Sequence, residues 1–264
     1  MTPTPLDAQP VRLGPVARVA RWAEMVAVFF GIPAAIALYV DPQRRLDVWL
    51  AELGLTLGDP GFPRSRVLIP TLVVFTIVIA VVLGVSKTFP NRQLWNWGAF
   101  RAEAPRIAWM FVPGAAIMLG IAWALHTYTD VMLVRSRDGE IGSTFLYLPT
   151  HAPIVLAIIA VAYPWFSAYP QEITHRAFFF HRYRPILPGR WSMIGVNAAA
   201  FAWLHAPFWN WLALAMTLPA GVLFAWTYDR TRSALAAGFE HAIYGWWVFF
   251  TGLGFFVYAG SLDA

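Results

Sequence analysis

The stretch Tyr169-Pro-Gln-Glu-Ile-Thr-His-Arg-Ala-Phe-Phe-Phe-His181 packs a carboxylate, an amide, two imidazoles and a guanidinium into the continuation of an apolar run that begins near Pro153. Burying a charge in hydrocarbon is expensive, so ionisable side chains inside a membrane segment mark a functional site and call for a partner. The partners are present in the sequence. On a helix, positions four apart share a face, which sets Glu172 beside Arg176 and Gln171 beside His175. The stretch is therefore either a built site or a well-neutralised core.

Working outward, the chain has 264 residues, of which 59% are apolar and 12% charged, against roughly a quarter charged in soluble domains. Several runs approach the roughly twenty residues needed to cross a bilayer, so the chain reads as one integral membrane domain. It has no cysteine, which excludes disulfides, thiolate metal sites and a cysteine nucleophile. Its basic residues are almost all arginine and sit mostly between the apolar runs, where they set topology rather than bind nucleic acid.

The expected fold class is all-α, a polytopic integral membrane bundle of about seven transmembrane helices. Spans are read at about 23–40, 67–85, 107–125, from 153 into the opening stretch, 191–206, 209–228 and 234–258. Pro164 and Pro170 are expected kinks in the fourth, and residues 44–57 suit a short interfacial helix followed by a turn at 58–61. The organisation is then a cytoplasmic segment 1–22, three N-terminal spans over 23–152, a core over 153–258 and a tail at 259–264. Counting Lys and Arg by alternate loops gives thirteen on the side of the N-terminus and six on the other. That imbalance favours a cytoplasmic N-terminus.

Polar residues recur inside three of these runs: Gln171, Glu172, His175 and Arg176; Asn197 and His205; Glu240 and His241. A carboxylate and imidazoles converging inside a bundle can activate water, while imidazole or amide donors receive the oxyanion of an attacked carbonyl. The expected site lies between the fourth, fifth and seventh helices.

The Glu-x-x-x-Arg of Glu172 to Arg176, the Phe-x-x-x-His of Phe201 to His205, the Thr231-Arg-Ser233 turn and the His241-Ala-Ile-Tyr pattern occur in one order along residues 153–250. In this the chain resembles the CAAX-processing and bacteriocin-processing (CPBP or Abi) family, which includes the type II CAAX prenyl endopeptidases. The resemblance implies an intramembrane glutamate-dependent endopeptidase in which a glutamate and two histidines activate water. Two positions depart from the family's pattern. Gln171 stands where the family usually has the first of two glutamates, and Gly245 where it usually has Asn or Asp.

Two readings follow. In one, Glu172 is the base, His205 and Asn197 donate to the oxyanion, His241 orients the water and Arg176 positions Glu172, with Gln171 and His175 toward the substrate. In the other, Gln171 marks a catalytically inactive relative that binds or organises a membrane partner. No cofactor is expected; the alternative is a zinc ion on Glu172, His205 and His241, leaving an open position for water. The implied partners are a membrane-embedded peptide or protein substrate and the lipid bilayer, in a bacterial inner membrane. Nothing in the sequence specifies an oligomeric state.

Overall fold

A computed structural model describes residues 13–58, 60–135 and 140–257. Residues 1–12, Asp59 of the expected 58–61 turn, Arg137, the end of the last expected span at 258 and the 259–264 tail lie outside the described residues. Apart from one hairpin and the turns and loops between elements, the described chain is helical, as expected for apolar runs. In lipid a backbone can satisfy its hydrogen bonds only within itself.

The helices are α1 (Pro15–Tyr39), α2 (Arg45–Glu52), α3 (Arg64–Val85), α4 (Trp97–Tyr128), α5 (Tyr147–His151), α6 (Pro153–Tyr183), α7 (Arg190–Trp203), α8 (Trp211–Thr231) and α9 (Ala234–Thr251). Of these, α1, α3, α4, α6 and α8 are long and apolar enough to cross a membrane. Their outward faces carry exposed Val74, Ile77, Val81, Ile117, Ile158 and Trp165, the surface a bilayer would cover. The two remaining expected spans, α7 and α9, are not among the five. The first has only 14 residues, and the second carries Glu240 and His241.

Both nevertheless run between the two ends of the bundle, as tertiary contacts show. At one end the Arg182 guanidinium holds Glu24 at 2.7 Å, His181 meets Thr88, Arg190 pairs with Asp229 and Arg230 with Glu103. At the other end Trp209 donates to the Ala37 carbonyl while Arg45 lies over the Trp209 ring, and the Leu146 N–H reaches the Thr251 carbonyl. The chain thus alternates ends along α6, α7, α8 and α9. The Glu24–Arg182 contact also revises the local picture. Glu24 has Arg21 next door at 3.8 Å, but its closer partner lies 158 residues away and ties α1 to α6.

The polar stretch between α4 and α5 contains a feature absent from the sequence reading, a hairpin of β1 (Leu133–Arg135) and β2 (Ile141–Ser143) with Val134 opposite Gly142. Such an edge is viable outside the apolar runs, where water can satisfy it. The Thr231-Arg-Ser233 segment turns α8 into α9: Arg232 takes left-handed φ of 47°, and Ser233 Oγ accepts the Ala236 N–H at 3.2 Å as the N-cap of α9. Replacing Ser233 by Ala removes that acceptor and should cost about 1 kcal/mol. Thermal unfolding in detergent measures it, and an unchanged midpoint would show that the cap carries no weight.

Candidate active site

The site is built on α6, which is not a uniform helix. Two π-helical turns interrupt it, at Pro164–Ala168 and Ile173–Phe178. Widening the ring to i→i+5 leaves a carbonyl without its helical partner, and such turns gather at functional positions. The fully buried Asn197 of α7 donates its side-chain amide to the His175 carbonyl, which lies within the second turn.

Glu172 and Arg176 are both fully buried. Arg176 Nε lies 3.2 Å from Glu172 Oε2, an ion pair outside hydrogen-bond geometry. Glu172 Oε1 is 2.9 Å from His241 Nδ1. A carboxylate can only accept, so His241 carries its proton on Nδ1. Its other nitrogen, Nε2, keeps a lone pair and stands 2.9 Å from the Tyr163 hydroxyl, which therefore donates to it. Tyr163, His241 and Glu172 form one chain of two hydrogen bonds running from the residue before the first π-turn of α6, through α9, to the residue before the second.

His205 sits just past the end of α7. Its Nδ1 is 2.9 Å from the Phe201 carbonyl oxygen, an acceptor, so the neutral ring holds its proton there and leaves Nε2 a lone pair. The Phe201 ring joins the cluster. Arg176 lies over its face at 4.6 Å, and the rings of His205, His241 and His175 stand at 5.1, 5.4 and 5.8 Å around it.

A cavity of about 900 Å³ opens against this cluster. Gln171, His175, His205, His241 and Tyr163 line it; Glu172, Arg176 and Asn197 do not. Gln171 donates its amide to Ser167 at 3.0 Å, and its Oε1 is buried with no hydrogen-bond partner, as is His175 Nε2. Among the described residues lining the cavity there is no Asp, Glu, Lys or Arg.

The expected residues thus fall into three groups. Glu172 contacts both Arg176 and His241. Gln171, His175 and His205 face the cavity. Asn197, expected as an oxyanion donor, donates to a backbone carbonyl of the second π-turn, behind the wall. Of the proposed zinc ligands, His241 has both nitrogens hydrogen-bonded, and no group of three or more His, Cys, Asp or Glu is arranged to hold a metal among the described residues. Trp203 and Trp247 do not line the cavity; they donate to the Phe30 and Ala115 carbonyls. Two features escaped the sequence reading. Tyr163 carried no signal, being a neutral side chain in an apolar run. Arg106, assigned to a loop, reaches the fully buried Glu240 at 3.7 Å as a second internal ion pair.

These positions can be set against known proteins. Residues 151–247 match the family model described as type II CAAX prenyl endopeptidase Rce1-like. Every residue of the cluster, from Tyr163 to Gly245, lies within this Rce1-like segment, which coincides with the stretch of motif resemblance. No curated protein and no solved structure shows significant similarity to the chain. The match supports a protease, a hydrolase, at the level of the family.

The ion pair of the Rce1-like segment gives a stability prediction. Removing one partner of a buried pair strands the other and typically costs about 3–5 kcal/mol, whereas neutralising both does not. Arg176→Met should therefore lower unfolding stability in detergent by that order, and the double variant with Glu172→Gln should recover most of it. Additive losses would show that the pair is not coupled.

Proposed function

We propose that the protein is an intramembrane endopeptidase that hydrolyses a peptide bond of a membrane-embedded substrate with water activated at His205. The observation that carries this is His205 in the lining of a cavity with no charged residue among its described lining, its Nδ1 proton committed to the Phe201 carbonyl while Nε2 keeps a lone pair. This exchanges two roles expected from the sequence. Glu172 does not line the cavity and its Oε1 is held by His241, which favours a supporting role over that of base. A neutral His205 of this tautomer offers an acceptor, not an oxyanion donor.

His205 Nε2 takes a proton as the water oxygen bonds to the carbonyl carbon, and the carbonyl electron pair moves onto its oxygen. The carbon–nitrogen bond then breaks, and the imidazolium returns its proton to the departing amine. Side chains alone activate the water, with no cofactor assigned. Glu172 and Arg176 hold the wall behind the reacting atoms, and an apolar, uncharged substrate segment suits the lining. The excess of basic residues on the N-terminal side supports a cytoplasmic N-terminus in a bacterial inner membrane.

The test is cleavage of a labelled membrane-peptide library by purified protein in bilayer discs. Wild type should cut, and His205→Ala should lose about 10²-fold or more. Activity should rise with pH through the titration of His205, because only the neutral ring has a free lone pair. Undiminished cutting by His205→Ala would overturn the assignment. A silent wild type with an active Gln171→Glu variant would identify the inactive relative, in which the amide at 171 has removed the base.

A further inference from the structure

Gly245 is one helical turn beyond His241 on α9, and the space beside it is already filled. A Cβ at position 245 would overlap the Tyr163 ring. The absence of a side chain at 245 is thus what admits the phenol to His241, where its hydroxyl stands 2.9 Å from Nε2. Two residues that look independent in the sequence, a tyrosine in one apolar run and a glycine in another 82 positions later, form a single fitted contact.

From this we infer that Tyr163 is a catalytic residue of the cavity, supplying the oxyanion donor through a hydroxyl held ready by His241. The inference rests on the proposed endopeptidase reading. The acceptors at this end of the cavity are Nε2 of His205, Nε2 of His175 when Thr174 takes its Nδ1 proton, and Oε1 of Gln171. The other donors nearby are committed in part: one N–H of the Gln171 amide goes to Ser167, one of the Asn197 amide to the His175 carbonyl behind the wall, and the Tyr244 hydroxyl to the Met110 carbonyl. Tyr163 has a proton it can redirect, because rotation about its C–O bond turns the hydroxyl from His241 toward the cavity that the same residue lines.

In the reaction, the water oxygen bonds to the carbonyl carbon, its proton goes to His205, and the displaced electron pair collects on the carbonyl oxygen. The Tyr163 O–H then donates to that oxygen without transferring its proton. When the carbonyl re-forms and the amine departs with the proton from His205, the hydroxyl returns to His241 Nε2. Glu172 acts through this chain: its carboxylate fixes the His241 tautomer, and the tautomer fixes Tyr163 as donor.

The experiment combines the cleavage assay with nitrogen-15 NMR of labelled histidines, the His241 signal being assigned by its loss in His241→Gln. In wild type the His241 ring should show a protonated Nδ1 and a hydrogen-bonded, unprotonated Nε2. Tyr163→Phe keeps the ring and deletes only the hydroxyl. It should shift the Nε2 signal and lower kcat by about 10²-fold, the usual effect of losing one oxyanion donor, with KM changed much less. Tyr163→Ala should be equally slow, and adding Gly245→Asn to it should place an amide donor in the vacated space and recover at least tenfold.

If wild type cuts and Tyr163→Phe cuts equally well, the inference is overturned and the endopeptidase reading stands. If wild type is silent, that reading falls and takes the catalytic role with it. An Nε2 signal identical in wild type and Tyr163→Phe would overturn the hydrogen bond itself, whatever the activity.

Discussion

A carboxylate with no access to solvent has to be neutralised where it stands, and the inner structure of this protein follows from how Glu172 meets that requirement. One oxygen faces Arg176 at 3.2 Å and the other accepts from His241 at 2.9 Å. Arg176 is buried in turn, and its guanidinium finds no hydrogen-bond partner, so the rings of Phe201 and Phe224 add to its stabilisation. His241 comes from α9, Phe201 from α7, and Glu172 with Arg176 from α6. One buried charge thereby fixes the relative positions of three helices, two of which are outside the five long and apolar enough to span. α7 falls outside them by its 14-residue length, whereas α9 carries Glu240 and His241 into the bundle in place of apolar residues that would mark it as a span.

This explains which parts were legible in the sequence. Local spacing made Glu172 and Arg176 a pair, because four residues on a helix bring two side chains together regardless of tertiary context. The apolar runs announced the long helices for an equally local reason. The site histidines could be named from their motifs, but their chemical roles could not, since a role depends on which nitrogen carries the proton. That is decided by a carbonyl at Phe201 for His205 and by a carboxylate 69 residues away for His241. The π-turns were invisible because prolines announce an irregularity without giving its form, and with them went the reason for Asn197. Contacts such as Glu24 with Arg182 and Tyr163 with Gly245 depend on which helices become neighbours, which one-dimensional periodicity does not encode.

Gly245 shows how an absence can mislead. Judged by the motif alone, a glycine where the family has an amide or carboxylate is a lost function. In three dimensions it is half of a contact, since a residue with any side chain would displace the phenol that meets His241. A position's chemistry can move to another helix when the space moves with it. A departure from a motif is therefore weighed against what fills the vacated volume.

Gln171 invites the same treatment. The cavity around it is apolar and, among its described lining residues, uncharged. A carboxylate at 171 would be a third acidic group close to Glu172, facing a space that offers it no cation, and an unpaired charge in so poor a dielectric is strongly unfavourable. With an amide there, both buried carboxylates of the core, Glu172 and Glu240, keep an arginine each, and the cavity wall carries no net charge. A neutral imidazole base fits such a wall. When it takes a proton from water, the imidazolium and the oxyanion arise together as a pair of opposite charges a few ångströms apart. Their mutual attraction is strongest in this low-dielectric setting. The substitution that removes a carboxylate base from the cavity thus also makes the cavity suited to a reaction that begins neutral and passes through its own ion pair.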